Sequence, residues 1–336
     1  MKRTMINIIG FKIALIFVFL MKKLLSLFLF FTVSVAFCQK KYAKEFNFIS
    51  DNDLYVSFYQ DRYYTNGLFF TYRYLVKNEN DNVAKKTHHL QLGHHIYTPF
   101  NPTVSIKQLH DRPFAGLLFG NFGVNTFYKN ESIIKYSVSF GVIGSNSYAR
   151  ELQKFIHDIY GFKNAIGWKY QIANALALNG NISYIKSLVK DASFTNDINW
   201  VNTLNVGTVF SDISTGFYTR IGLTSLQPLT NSIAFNGNLN NASTGFNNKK
   251  EVFLYFKPMF SYVHYDATIQ GSFLNKNSPV TYLLKPFKFS LETGIRFTSN
   301  RFNFGYSIHY YTKKLKSVRV PKGNFYGSLQ FNYQFN

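Results

Sequence analysis

Alternation with a period of two organises most of this chain. In Phe325–Phe335 the odd positions read Phe325, Gly327, Leu329, Phe331, Tyr333 and Phe335, with Ser328, Gln330, Asn332 and Gln334 between them. Phe302, Phe304, Tyr306, Ile308 and Tyr310 alternate in the same way with Arg301, Asn303, Gly305, Ser307 and His309, and segments 287–297 and 134–142 repeat the pattern. Successive side chains of a strand point to opposite faces, so each segment predicts a strand with one apolar and one polar face. Charged residues such as Lys135, Lys288 and Arg296 sit on the polar face of nearly every one. That suits a hydrated lumen better than the dry core of a sandwich.

About twelve such segments occur, near 44–50, 66–77, 86–97, 114–129, 133–144, 168–187, 196–210, 213–223, 251–265, 284–298, 301–315 and 322–335. In lipid every backbone polar group must find a partner, which leaves closure as the only β solution. The expected fold is therefore all-β: an antiparallel transmembrane β-barrel of about 12 strands, with strand lengths near those of bacterial barrels. The short polar stretch Thr298-Ser299-Asn300 reads as a periplasmic turn, and the Asn/Gly/Ser-rich stretch Asn231–Asn248 as an extracellular loop. The final strand closes on Phe335, one residue from the end, much as outer-membrane barrels close on an aromatic.

Composition supports this picture. Aromatic residues make up 19% of the 336, with 24 Tyr and 37 Phe, which disfavours disorder. Mean hydropathy is nonetheless close to neutral, as two-faced strands require. A single Cys excludes a disulfide framework and a cysteine-based zinc site. Of the net charge of +21, five cations and no acid lie in residues 1–38, leaving +16 on the remainder.

Two apolar runs, Ile6–Leu20 and Leu24–Phe37, flank Met21-Lys22-Lys23. Each is shorter than the roughly 20 residues a helical span needs. The second has the layout of a secretory signal, with lysines, an apolar core and Val35-Ala36-Phe37-Cys38 before Gln39. Met21 is the expected true start, and cleavage is expected near Gln39. A lipid anchor on Cys38 is the lesser alternative, because Phe37 is bulky where that signal wants a small residue. The organisation is thus a leader over 1–38 and one barrel domain over 39–336.

One stretch breaks the alternation. Residues 147–160 read as a short inserted helix, with Ser147 as its N-cap and Gly161 as its stop. Leu152, Ile156 and Ile159 form an apolar stripe, and Gln153 and His157, spaced i,i+4, share an adjacent face. Two polar clusters lie earlier, Ser50-Asp51-Asn52-Asp53 and Asp61-Arg62-Tyr63-Tyr64-Thr65-Asn66-Gly67. Their oxygens suit a hard cation such as Ca²⁺, but spacing alone favours ordinary loop-forming residues, with Asn66-Gly67 as a turn.

Taken in order, these segments are similar to motifs of the lipid A 3′-O-deacylases, outer-membrane enzymes of Gram-negative bacteria. The strings are Asn52-Asp53, the Asp61–Gly67 run, Ile96-Tyr97-Thr98-Pro99, Asp111-Arg112-Pro113-Phe114-Ala115-Gly116, Gly141-Val142-Ile143-Gly144, Gln153 with His157 and Gly161, and Gly167-Trp168. They cover residues 45–175; beyond these only the barrel pattern is shared. The resemblance implies a twelve-stranded barrel with its site at the outer-leaflet end, between the wall and the inserted helix. It further implies Ca²⁺-dependent removal of the 3′-linked acyloxyacyl chain of lipid A. His157 would be the general base, Asn52, Asp53 and Thr65 would complete the site, and Gln153 would lie beside the base. Asn52 and Asp53 would hold the metal, and Lys107 would contact a substrate phosphate. Asp61 and Asp111 match without an assigned role. The chain departs from the family at Ser145-Asn146, where a Gly-Pro is usual, and at Lys163, where an acid is usual.

The residue types fit that chemistry. A neutral imidazole can take a proton from water, and a bound cation can stabilise an oxyanion, so no covalent nucleophile is needed. No G-x-S-x-G elbow is present. A non-catalytic porin-like barrel is the reading from another class; a Ser–His phospholipase would need a serine beside His157. A basic chain often meets nucleic acid, but an exported barrel meets anionic lipopolysaccharide instead, so lipid A is the expected partner and a monomer the expected state.

Overall fold

The computed structural model describes residues 41–56, 62–190, 193–246, 250–320 and 323–336. The expected leader over 1–38, with Met21 and Cys38, falls outside the described residues, as does Asp61.

Twelve strands form one closed antiparallel barrel, as the alternation predicts. They are β1 Lys44–Asn52, β2 Tyr63–Val76, β3 Val83–Thr98, β4 Ala115–Tyr128, β5 Ser132–Ile143 and β6 Ala175–Lys190. The second half comprises β7 Asn196–Gly207, β8 Phe210–Gly222, β9 Val252–Asp266, β10 Phe287–Ser299, β11 Phe302–Thr312 and β12 Gly323–Phe335. Each strand pairs with its sequence neighbours, and β1 closes on β12 with Lys44 opposite Phe335 and Asn52 opposite Gly327. The two-residue alternation separates faces cleanly. On β3, Leu90 and Leu92 are exposed outward, while His95 and Tyr97 line an interior cavity.

Both termini of the barrel domain lie at one end, which also carries short connections such as 129–131 and 300–301. Short turns mark the periplasmic end of such barrels, so the other end, with the long 99–114 and 144–174 connections, is extracellular. The expected turn near Thr298–Asn300 is therefore periplasmic, with Asn300 at φ 55°.

The reading of Asn231–Asn248 as an extracellular loop is wrong. Its described residues, 231–246, belong to the connection between β8 and β9, which opens at the periplasmic end and folds up into the lumen. Leu229, Ile233 and Phe235 pack there against the inward side chains Phe127, Ile133, Ile185, Tyr218 and Tyr255. Its polar backbone is met by wall cations: Lys85 Nζ donates to the carbonyls of Gly237 (2.5 Å) and Leu239 (3.0 Å) and to Asn240 Oδ1 (2.7 Å). Arg220, 1% exposed, pairs with Asp197 and with Glu251 (2.9 Å) and donates to Ser232 Oγ (2.6 Å) and the Gln227 carbonyl (3.0 Å). Composition marks such a stretch as non-regular but carries no sign of which end it occupies.

Candidate functional site on the outer wall

The site begins where β1 ends. Asp51 points into the lumen, where the Tyr64 hydroxyl donates to its Oδ2 (2.8 Å). By alternation the next residue, Asn52, belongs to the outer face. Asn52 caps a 3₁₀ turn, Asp53–Tyr55, by accepting the Leu54 N–H on Oδ1 (2.8 Å). Asp53 is buried within that turn and accepts the Arg62 N–H on Oδ2 (2.6 Å), which ties the strand end to the start of β2.

Opposite Asn52 in the ladder is Asn66. Between β2 and β3 the register slips at this point: Tyr64 faces Tyr97 and Asn66 faces Ile96, so Thr65 is the extra residue of a β-bulge. A bulge re-aims the side chain it carries. Here it lets Tyr64 reach inward to Asp51 while Thr65 meets Thr98, Oγ1 to Oγ1, at 2.8 Å. Gly67 is required beside it, because a Cβ there would stand 2.1 Å from the Tyr64 hydroxyl. Asn66 is buried, and its Oδ1 has no hydrogen-bond partner among the described residues.

The second half of the site rides on helix α1, Ala149–Tyr160, in the connection between β5 and β6. Gly161 ends it in the left-handed region (φ 71°) as expected, but Ser147 is not its cap. Tyr148 occupies that position at φ 57° with no side-chain hydrogen bond, and Ser147 Oγ donates to the Gly144 carbonyl (2.6 Å) in a preceding 3₁₀ turn. Ser147 is drawn away because it packs against Gly116, where a Cβ would come within 2.1 Å of its Oγ.

The buried stripe of α1 is Ala149, Gln153 and His157. Phe155 and Ile159, each 63% exposed, and Tyr160 face away. The helix thus presses its polar side against the barrel and turns apolar side chains outward, the reverse of a helix on a soluble core. Ile96, Phe114, Ala149 and Trp168 form the contact, with Leu152 against it. His94 Nε2 adds a hydrogen bond to the Ser147 carbonyl (2.8 Å). Ile96 and Thr98 are alternate outward residues of β3, so the same strand end carries both the helix contact and the Thr65 partner.

His157 Nδ1 lies 2.8 Å from the Lys163 carbonyl. A carbonyl only accepts, so Nδ1 carries the proton and, in the neutral ring, Nε2 keeps its lone pair. The Lys163 departure therefore leaves the imidazole of His157 oriented: the backbone of that residue, rather than its side chain, holds the ring. The Ser145-Asn146 departure is absorbed by Asn174, which donates to Ser145 Oγ (2.7 Å) and accepts the Asn146 N–H (2.8 Å). Gln153 accepts the Trp168 indole N–H on Oε1 (2.7 Å), while its buried Nε2 has no hydrogen-bond partner among the described residues.

Asp111, one of the two motif residues without an assigned role, is a staple. It accepts the Tyr63 hydroxyl and the Phe100 N–H, both at 2.9 Å, and so fixes the 99–114 connection to β2. Lys107 stands exposed on a 3₁₀ turn of that connection and is not drawn into the buried set. Arg319 from the last extracellular connection bonds the neighbouring Gln108 carbonyl (3.3 Å). Thr98, Asn66 and Trp168 were missed as site residues by sequence reasoning. All three stood inside the quoted motifs without being singled out there.

The family model of the outer membrane protein LpxR matches residues 24–335. Among solved structures, LpxR from Salmonella typhimurium is similar at 18% identity, over 87% of this chain and 100% of that one, with a TM-score of 0.67. At that identity the likeness shows a shared fold. The β domain of the Bordetella autotransporter BrkA aligns over 88% of this chain and 100% of that one, at 8% identity and a TM-score of 0.45. No curated protein matches the sequence. A family match over nearly the whole chain, on a closed twelve-stranded fold, decides the assignment: this outer-membrane protein belongs to the LpxR family.

Proposed function

We propose that this chain is a hydrolase of the outer leaflet that removes the 3′-linked acyloxyacyl chain of lipid A by attack of water. One observation carries the reading: a histidine with Nδ1 committed to a carbonyl lies on the buried polar stripe of a helix whose other side offers apolar side chains to lipid. A substrate with acyl chains reaches such a site from the membrane plane rather than through the lumen.

In this reading His157 Nε2 takes a proton from water as the water oxygen bonds to the ester carbonyl carbon. Collapse of the tetrahedral species breaks the bond to the sugar oxygen, which leaves with the proton held by the imidazolium. Ester and water become a carboxylic acid and the sugar hydroxyl. Asn52 and Asp53 would hold Ca²⁺, with Thr65 adjacent. The fit rests on an oxygen-only donor set, one carboxylate with amides and a hydroxyl, and on the unmatched buried Oδ1 of Asn66. When bound, the ion supplies positive charge opposite the developing oxyanion. Lys107, exposed at the rim, would meet a lipid A phosphate. A closed ladder leaves no unpaired edge strand, which suits a monomer.

The channel reading is disfavoured by the 223–251 connection, which fills the periplasmic part of the lumen with Leu229, Ile233 and Phe235. Mass spectrometry of lipid A from cells with and without this chain tests the proposal. The expected result is loss of the mass of one acyloxyacyl chain from the 3′ position; an unchanged lipid A profile at full expression would refute it.

A further inference from the structure

Gln153 is 3% exposed and uses only half of its amide. The indole N–H of Trp168 can only donate, so the group it meets at 2.7 Å must be the amide oxygen. That contact decides which way the amide is turned and leaves Nε2, a buried donor, without a hydrogen-bond partner among the described residues. Unmatched buried donors are uncommon in folded proteins and call for a reason. This one lies on the same helix stripe as His157, one turn before it.

Trp168 is held firmly. Its ring lies 4.9 Å from that of Phe114 and packs in the cluster with Ile96 and Ala149. Gly167 makes this approach possible, since a Cβ there would fall 2.4 Å from Phe114 and 2.7 Å from His110. Trp168 stands outside the helix, on a 3₁₀ turn at 167–170, so two separate elements converge on one amide.

We propose that Trp168 is a positioning residue that fixes the Gln153 carboxamide so that Nε2 donates to the ester carbonyl oxygen as His157 activates water. This rests on the deacylase reading above. A preorganised donor aimed at developing negative charge strengthens its hydrogen bond in the transition state and needs no reorganisation then. A glutamate at 153 would accept the indole N–H equally well but supply no donor to the substrate. The design needs a carboxamide, and an indole N–H to orient it.

The test measures kcat and KM on lipid A in detergent micelles for Gln153→Ala, Gln153→Glu, Trp168→Phe and the Trp168→Phe/Gln153→Ala double variant. Each is normalised to folded barrel on unboiled gels. Trp168→Phe keeps the ring beside Phe114 and removes only the N–H. Both Gln153 variants should lose about 10²-fold in kcat, the scale of one oxyanion donor, with KM little changed. Trp168→Phe should lower kcat in the parent and add nothing in the Gln153→Ala background, because residues acting through one contact are non-additive. The chain has two tryptophans, Trp168 and Trp200, so the indole ¹H–¹⁵N resonances can be told apart. The Trp168 resonance should shift in Gln153→Ala whatever the activity. An active parent whose Gln153 and Trp168 variants keep parental kcat, or whose losses multiply in the double variant, overturns the role alone. A parent that leaves lipid A intact overturns the deacylase reading and this role with it.

Discussion

Two long excursions leave the same barrel wall and are treated in opposite ways. The 223–251 connection is drawn inside, where its apolar side chains find the inward aromatics and its carbonyls find Lys85 and Arg220. Helix α1 is laid on the outside, with Gln153 and His157 against the wall and Phe155, Ile159 and Tyr160 turned outward. Among the described residues, no side chain of the lumen plug leaves a buried polar atom without a hydrogen bond, whereas Gln153 does so on the helix. Complete satisfaction marks a part whose work is to stay closed. An unmatched buried donor carries a standing cost to stability and calls for a reason.

The largest contrast expected between the two regions lies in their response to metal. Chelation with EDTA should abolish deacylation and Ca²⁺ restore it, with Zn²⁺ a poor substitute because it favours nitrogen and sulfur ligands. Asp53→Ala should behave as the chelated parent does. Neither treatment should alter the plug, so the unboiled barrel should migrate as before; full activity in EDTA would remove the metal from the account.

Arg220→Ala should act the other way, on stability and not on chemistry. It leaves the buried Asp197 and Glu251 carboxylates uncompensated, a loss of about 3–5 kcal/mol for a broken buried pair. Urea titration of folded protein in lipid vesicles reads this directly. In planar bilayers the parent should show no steady pore current, and the variant should conduct if the plug is released. A steadily conducting parent would revive the channel reading.

A smaller effect is expected at Thr98→Val, which keeps the shape of the β3 end but removes the hydroxyl that holds Thr65. A neutral hydrogen bond contributes about 1 kcal/mol, so activity should fall by roughly fivefold with the barrel intact. An unchanged rate would mean that the bulge alone positions Thr65.

The parts that were legible in the sequence are those governed by periodicity. Twelve strands and the helix followed from period two and its interruption, and the i,i+4 spacing of Gln153 and His157 anticipated the buried stripe they share on that helix. The features that escaped depend on pairing across the chain. The Thr65 bulge exists only against Ile96 and Tyr97 of β3, and the meaning of Lys163 lies in its carbonyl, which no side-chain alignment can weigh. Ser147 carries a good capping side chain, but Gly144 and Gly116 claim it first. The plug was misplaced because Asn, Gly and Ser serve equally well over water and inside a polar lumen.

The central claim is that His157, on the lipid-facing wall, is the base that activates water. Its most direct test is the rate of lipid A 3′-deacylation by His157→Ala, compared with the parent and with Lys154→Ala at equal amounts of folded barrel in the membrane. Lys154 sits on the exposed side of the same helix, paired with Asp158. The account predicts a loss of about 10² to 10⁴ in rate for His157→Ala, the typical contribution of a general base, and a parental rate for Lys154→Ala. Parental deacylation by His157→Ala would contradict it.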